Sequence, residues 1–233
     1  MKIKILLLVF LCATSTFAQK VLTSPPNFKQ IKFEIADPKS DCYYPSVIQR
    51  FNANDTTLTN EQYRCLYYGY TFQKEYRPYL RLPQDSLLAS YAKKVNKTSA
   101  DCDSIIRFAT QSLAIFPFDI YKINQLGYAY HLKGRNDLAR IYSRKAEQLS
   151  ATIFSTGNGR SQLTAWYVIS VSDEYETIYL LGLFPVSQRF VFSDCDYVTV
   201  AKNNLSVNGF YFNVKRLLDT QAPVTDTKAT RQK

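Results

Sequence analysis

The feature that most limits how this chain can fold is a change in the period of its apolar residues. Up to about residue 155 they recur every three to four positions, the spacing of a helix face. Tyr63, Leu66, Tyr67 and Tyr70 form one such stripe. Beyond the turn-rich Ser155-Thr156-Gly157-Asn158-Gly159 the pattern shortens to alternation, as in strands. Helices followed by a small sheet is an α+β order. The chain has 233 residues, 46% apolar and 21% charged, enough apolar surface for a core.

Ahead of the helices comes a different kind of segment. Met1-Lys2-Ile3-Lys4 is a short basic start, Ile5 to Leu11 is unbroken apolar sequence, and Thr16-Phe17-Ala18 is a small-x-small site. This predicts a signal peptide, cleaved after Ala18, and an exported protein of the periplasm or outer envelope. The apolar run is too short to span a bilayer, so no stable membrane insertion of the mature chain is expected. Cleavage removes Cys12 and leaves Cys42, Cys65, Cys102 and Cys195. Four cysteines in an exported chain allow three pairings into two disulfides, and the sequence leaves the choice open. No C-x-x-C occurs, so no metal site is expected. Cys102 and Cys195 each lie between two aspartates, which disfavours a thiolate nucleophile.

Residues 19–26 read as an extended leader. A single domain follows over 27–218, helical across 27–155 and sheet-rich across 160–215, and the polar 219–233 reads as a disordered tail. Helices are expected at 27–36, 44–52, 60–75, 85–95, 104–116, 119–133 and from 136 or 137 to 154. The third opens on the capping box Thr59-x-x-Gln62, and the fourth on Asp85 as its N-cap. Strands are expected at 165–171, 188–192, 196–202 and 207–214, with a short helix at 173–181. The short spacings favour an antiparallel sheet.

Leu126, Gly127, Tyr130, Gly134, Ala139 and Ala146 stand at offsets that resemble a tetratricopeptide repeat, with Pro117 where the previous unit ends. The resemblance covers about 117–150. One unit is not a free-standing array, because such repeats bury their faces on one another. Other residue runs extend the likeness to almost the whole mature chain. They are Leu66-Tyr67-Tyr68-Gly69-Tyr70, Tyr76-Arg77-Pro78-Tyr79, Ala129-Tyr130-His131-Leu132-Lys133-Gly134, Ile153-Phe154-Ser155 with Gly157-x-Gly159, Val168-Ile169-Ser170-Val171 with Asp173-Glu174-Tyr175, and Gly209-Phe210-Tyr211-Phe212-Asn213-Val214. With these the chain resembles a family of exported Bacteroidetes proteins of unknown function. That resemblance implies an exported α+β fold and carries no site residue with it.

Catalytic sets are sparse. His131 is the sole imidazole, so any Ser-His-Asp or Cys-His device must use it, and no G-x-S-x-G is present. Gly157-Asn158-Gly159-Arg160 lacks the Lys-Ser/Thr of a phosphate loop and reads as a tight connection. Asp173, Glu174 and Glu176 form the densest acidic cluster. Asp173 there reads as a charge suited to a helix N-terminus. The tyrosine-rich helices read as amphipathic core.

The leading expectation is therefore a non-enzymatic interaction module without a cofactor. Repeats of this kind contact partners through their first helix, which points to Asn124, Tyr128 and His131. Cleavage removes Lys2 and Lys4 from a net charge of +10, and the remaining +8 suits an anionic partner. Export argues against nucleic acid and for an unknown protein or an anionic envelope glycan. One alternative is a carbohydrate-active or other hydrolytic enzyme built on Asp173 and Glu174 beside Tyr175. Another is a structural subunit of an envelope complex.

Overall fold

A computed structural model describes residues 23–220. The expected signal peptide, the first part of the leader and residues 221–233 of the expected tail lie outside the described residues. Seven helices come first: α1 (Phe28–Glu34), α2 (Tyr44–Asn52), α3 (Asn60–Gly69), α4 (Pro83–Ala92), α5 (Ser99–Leu113), α6 (Ile120–Leu132) and α7 (Asn136–Phe154). Then come β1 (Trp166–Tyr167), α8 (Val171–Leu180), β2 (Pro185–Val191), β3 (Cys195–Val200), β4 (Gly209–Asn213) and α9 (Lys215–Leu218).

Local signals set most helix ends. Thr59 and Gln62 form the expected box: the Thr59 hydroxyl accepts from the Gln62 amide at 3.2 Å, and the Thr59 amide donates to Gln62 Oε1 at 3.1 Å. Asp119 accepts from the Lys122 amide at 3.0 Å and starts α6. Gly134, at a φ of 73°, closes α6, because only a residue without Cβ takes the left-handed turn at no cost.

Two helix starts differ from expectation. The expected start at Ser104 moves back to Ser99, because Thr98 and Asp101 make a capping box of their own. Asp85 is not an N-cap. Pro83 opens α4, and Asp85 sits in its first turn, where its carboxylate accepts from the Leu82 amide at 3.2 Å.

The sheet has the order β1-β4-β3-β2. β2 pairs antiparallel with β3, and β3 with β4. β1 pairs parallel with β4, Trp166 opposite Phe212. The expectation of a purely antiparallel sheet is thus corrected to a mixed one. Spacing spoke only for the two hairpins, whereas β1 reaches β4 by a crossover through α8. The expected strand at 165–171 shrinks to two residues for the same reason. The Ile169 amide donates to Tyr67 Oη at 3.3 Å, and the Ser170 side chain caps α8.

One core runs through both layers, from Ile31 to Leu217. Tyr67 and Tyr68 of α3 are its centre, and their hydroxyls tie it to the sheet layer: Tyr67 to Asp173 at 2.7 Å and Tyr68 to the Tyr167 carbonyl at 3.1 Å. The tyrosine-rich helix is therefore interior, with its polar ends satisfied. A smaller cluster of Leu88, Cys102, Ile105, Phe108, Ala109, Leu126 and Ala129 joins α4, α5 and α6. Among the described residues no helix is long and apolar enough to cross a membrane.

Candidate functional site

α6 carries Asn124, Tyr128 and His131 at intervals of four and three residues, which puts them on one face. α7 lies against that face. Small residues, Ala139 and Ser143, line the seam there, and a Cβ on Gly127 would stand 3.5 Å from the Ser143 backbone nitrogen and from Tyr142 Cβ. Small residues at the seam leave a trough between taller side chains. The trough holds about 770 Å³ and is lined by all three expected residues together with Arg140, Arg144 and Glu147. Tyr128 stands 46% exposed on its wall, with the Lys97 ammonium 5.2 Å from its ring centre. Beyond Asn124, Ser143 and Glu147 the trough runs on to Ser150, Phe154 and Leu180. α7 is 19 residues long, so the groove follows about 28 Å of helix. The end near His131 is cationic, and the end near Leu180 is apolar.

Arg140 and Arg144 were not anticipated, although a signal existed. Ala139, Ser143 and Ala146 mark the inward seam of α7, and residues one position away flank it.

Asn124 connects the trough to α8, lying close enough to the Glu176 carboxyl to favour its charged form. Burial first, then Asp119, pushes Glu176 up to about 7. One turn earlier on α8, Asp173 and Glu174 are each 0% exposed. Asp173 accepts from Tyr67, while its Oδ1 has no hydrogen-bond partner among the described residues. Burial pushes Asp173 up to about 8. Glu174 lies against Asp196, and burial followed by that like charge raises it well above the usual range. Burial thus disfavours the charged form of both. Asp173 does stand in the first turn of α8, as expected, but fully buried there.

A separate cleft of about 560 Å³ passes in front of α8. Ser170, Ser172 and Tyr175 line it, with Asp85, Asp119 and Lys122 opposite, but Asp173 and Glu174 do not. Hydrolysis by two carboxylates needs both to face the scissile bond, one of them ionised. This pair stands behind the wall of the cleft, and burial works against a charge on either member. Across the cleft, Lys122 pairs with Asp85 and Asp119 at 3.0 Å each, so its charge is already matched.

The glycine connection has no room for a phosphate. The Asn158 and Gly159 amides both donate to the Thr164 carbonyl, at 3.0 and 2.8 Å. A Cβ on Gly159 would meet the Trp166 ring at 2.7 Å. The loop is a tight joint between layers.

Of the cysteines, Cys42 and Cys65 form a disulfide, and Cys102 and Cys195 are free and buried. Ligand atoms of Glu34, Cys42, Glu61 and Cys65 lie within 4.8 Å of one another, the arrangement in which a soft divalent cation is held when the sulfurs are thiolates. Here the sulfurs are bonded to each other and only the two carboxylates remain as ligands. The Cys195 thiol is pushed up to about 12 by burial, then by Asp194, so it is no nucleophile.

A family model described as a domain of unknown function, DUF4919, matches residues 29–222, and the chain belongs to that family. No curated protein and no solved structure matches it.

Proposed function

We propose that this DUF4919 protein is an exported, non-enzymatic interaction module of the periplasm or outer envelope, which holds an extended acidic segment of a partner protein in the α6–α7 trough. The observation that carries this reading is the convergence of Asn124, Tyr128 and His131 with Arg140 and Arg144 in one groove. Two arginines against a single glutamate favour an anionic segment. The aromatic face of Tyr128 offers a rigid contact at little entropic cost.

Export rests on the basic start, the apolar run from Ile5 and the site at Ala18. The Cys42–Cys65 disulfide is in keeping with an oxidising compartment. The sequence likeness to exported Bacteroidetes proteins and the tetratricopeptide-like spacing of Leu126, Gly127 and Gly134 support the same reading. The hydrolytic alternative has less support, because Asp173 and Glu174 have no surface in a cleft.

The test is a crosslinked pull-down of the tagged protein from its native envelope, beside a double variant Asn124→Ala, Tyr128→Ala. One dominant protein partner, lost from the variant, is the expected result. An empty pull-down, or a partner retained by the variant, removes the trough from the account. Enrichment of an anionic glycan in place of a protein keeps the trough and changes the partner.

A further inference from the structure

On the other side of α7, away from the trough, lies a charge that no described residue neutralises. Tyr142, Ala146, Leu149 and Ile153 form the inward stripe of the helix, and Lys145 falls beside it, only 6% exposed. Its ammonium donates to Asn54 Oδ1 at 2.6 Å and sits 4.3 Å from the ring centre of Phe51 and 5.3 Å from that of Tyr142. Every one of these partners is neutral. No carboxylate pairs with Lys145 among the described ion pairs, and burial alone brings its pKa down to about 8. A buried ammonium without a counter-ion is costly, and proteins rarely place one where packing alone is at stake.

Lys145 and its partner Asn54 line a cavity of about 550 Å³ between α2, the end of α5, α6 and α7. Its walls are mostly apolar, with Ile48, Phe51, Leu113, Ile123, Leu126 and Tyr142, while Asn54, Gln73 and Thr110 add polar atoms. The exposed residues Glu75, Ala114 and Ile115 mark where it meets solvent. Volume and lining both fall in the range of small-molecule sites, which are mostly apolar with a few placed polar groups. Lys145 is the single cation in the lining, so the cavity suits a monoanion and not a phosphate, which is held by several donors.

We propose that this cavity binds a small apolar carboxylic acid, with the carboxylate on Lys145 Nζ and the hydrocarbon or aryl body against the aromatic and aliphatic walls. The ligand supplies the counter-ion that the fold withholds, and the cavity removes its apolar surface from water. The site is independent of the α6–α7 trough.

Isothermal titration calorimetry on the full chain tests it, with decanoate and naphthoate as probes, each beside its matched alcohol. At pH 7 at least one acid is expected to bind ten-fold or more tighter than its alcohol. In Lys145→Met the acid should fall to the level of the alcohol, and in Leu113→Trp, which fills the cavity, both should be lost.

Wild-type protein answers the same question should Lys145→Met fail to fold. Raising the pH from 7 to 10 discharges Lys145 and should weaken the acid at least ten-fold while leaving the alcohol unchanged. The other titratable groups facing the cavity are Tyr44, Tyr70, Tyr142 and, at the mouth, Glu75. Burial holds all three tyrosines above their ordinary pKa, Tyr70 at about 12, so Lys145 loses its charge before any of them gains one. Equal affinity for acid and alcohol in the wild type, no binding of either acid, or discrimination that survives in Lys145→Met would each overturn the proposal.

Discussion

Asp173 and Lys145 are buried titratable residues whose charged forms the fold disfavours. The Asp173 carboxyl rises from 3.8 to about 8, so the folded state keeps a proton that the unfolded chain has already shed. Its contribution to stability is complete below pH 4 and is lost as pH rises toward 8, by about 1.4 kcal/mol per pH unit. Asp173→Asn keeps the shape and cannot ionise. Thermal unfolding at pH 5 and pH 8 should therefore show the wild type losing ground to this variant at the higher pH. Parallel curves would mean that Asp173 is ionised in the fold.

Lys145 is displaced in the other direction, from 10.5 to about 8. Folding disfavours its charged form, so the full penalty is present at pH 7 and eases as pH rises from 8 to 10.5. Lys145→Met should raise stability at pH 7 by roughly 1 to 3 kcal/mol, even with the Asn54 hydrogen bond lost, and the gain should shrink by pH 10.5. A destabilised Lys145→Met at pH 7 would contradict that assignment. Neither residue is legible in sequence as buried. Charged residues are assigned to solvent by default, and only the position of Lys145 beside the apolar stripe of α7 hints otherwise.

At the scale of elements, the disulfide makes the firmest claim. It closes a separation of 23 residues and joins the loop before α2 to the middle of α3, the helix at the centre of the core. By loop-closure entropy, Cys42→Ala should cost about 3 kcal/mol, measured by denaturant unfolding under oxidising conditions. An effect below about 1 kcal/mol would mean that α1, α2 and α3 are fixed by packing alone.

The elements also show where sequence reading succeeds. Thr59 and Gln62, Asp119, and Gly134 act locally, and the helix ends they mark follow from a few neighbouring residues. Thr98 and Asp101 carry the same kind of signal four residues ahead of the apolar stripe that α5 advertises, so the stripe alone dates its start too late. β1 could not be read locally at all. Its length is set by Tyr67, about a hundred residues earlier in the chain, and its parallel partner is β4. The short α9 has too few residues for a period to declare itself.

At the scale of the whole molecule, the tyrosines of α3 and the aromatic residues of β4 make one core out of two layers, leaving α6 and α7 to present a surface. That division explains why the candidate trough was half legible. Asn124, Tyr128 and His131 share a helix face, which sequence spacing reveals. Arg140, Arg144 and Glu147 join them only because Gly127 and Ser143 let a second helix approach. The apolar end at Phe154 and Leu180 needs α8 to be folded against α7, which no local pattern encodes.

The central claim is that this trough, and not some other face, meets a partner. Photo-crosslinking in intact cells tests it most directly, with a photoreactive amino acid placed in turn at Tyr128, at Arg140 and at Leu163, which is 92% exposed outside the trough. One discrete protein adduct from Tyr128 and Arg140, absent from Leu163, is the outcome this account predicts. No adduct from the trough positions, or the same adduct from all three, would contradict it.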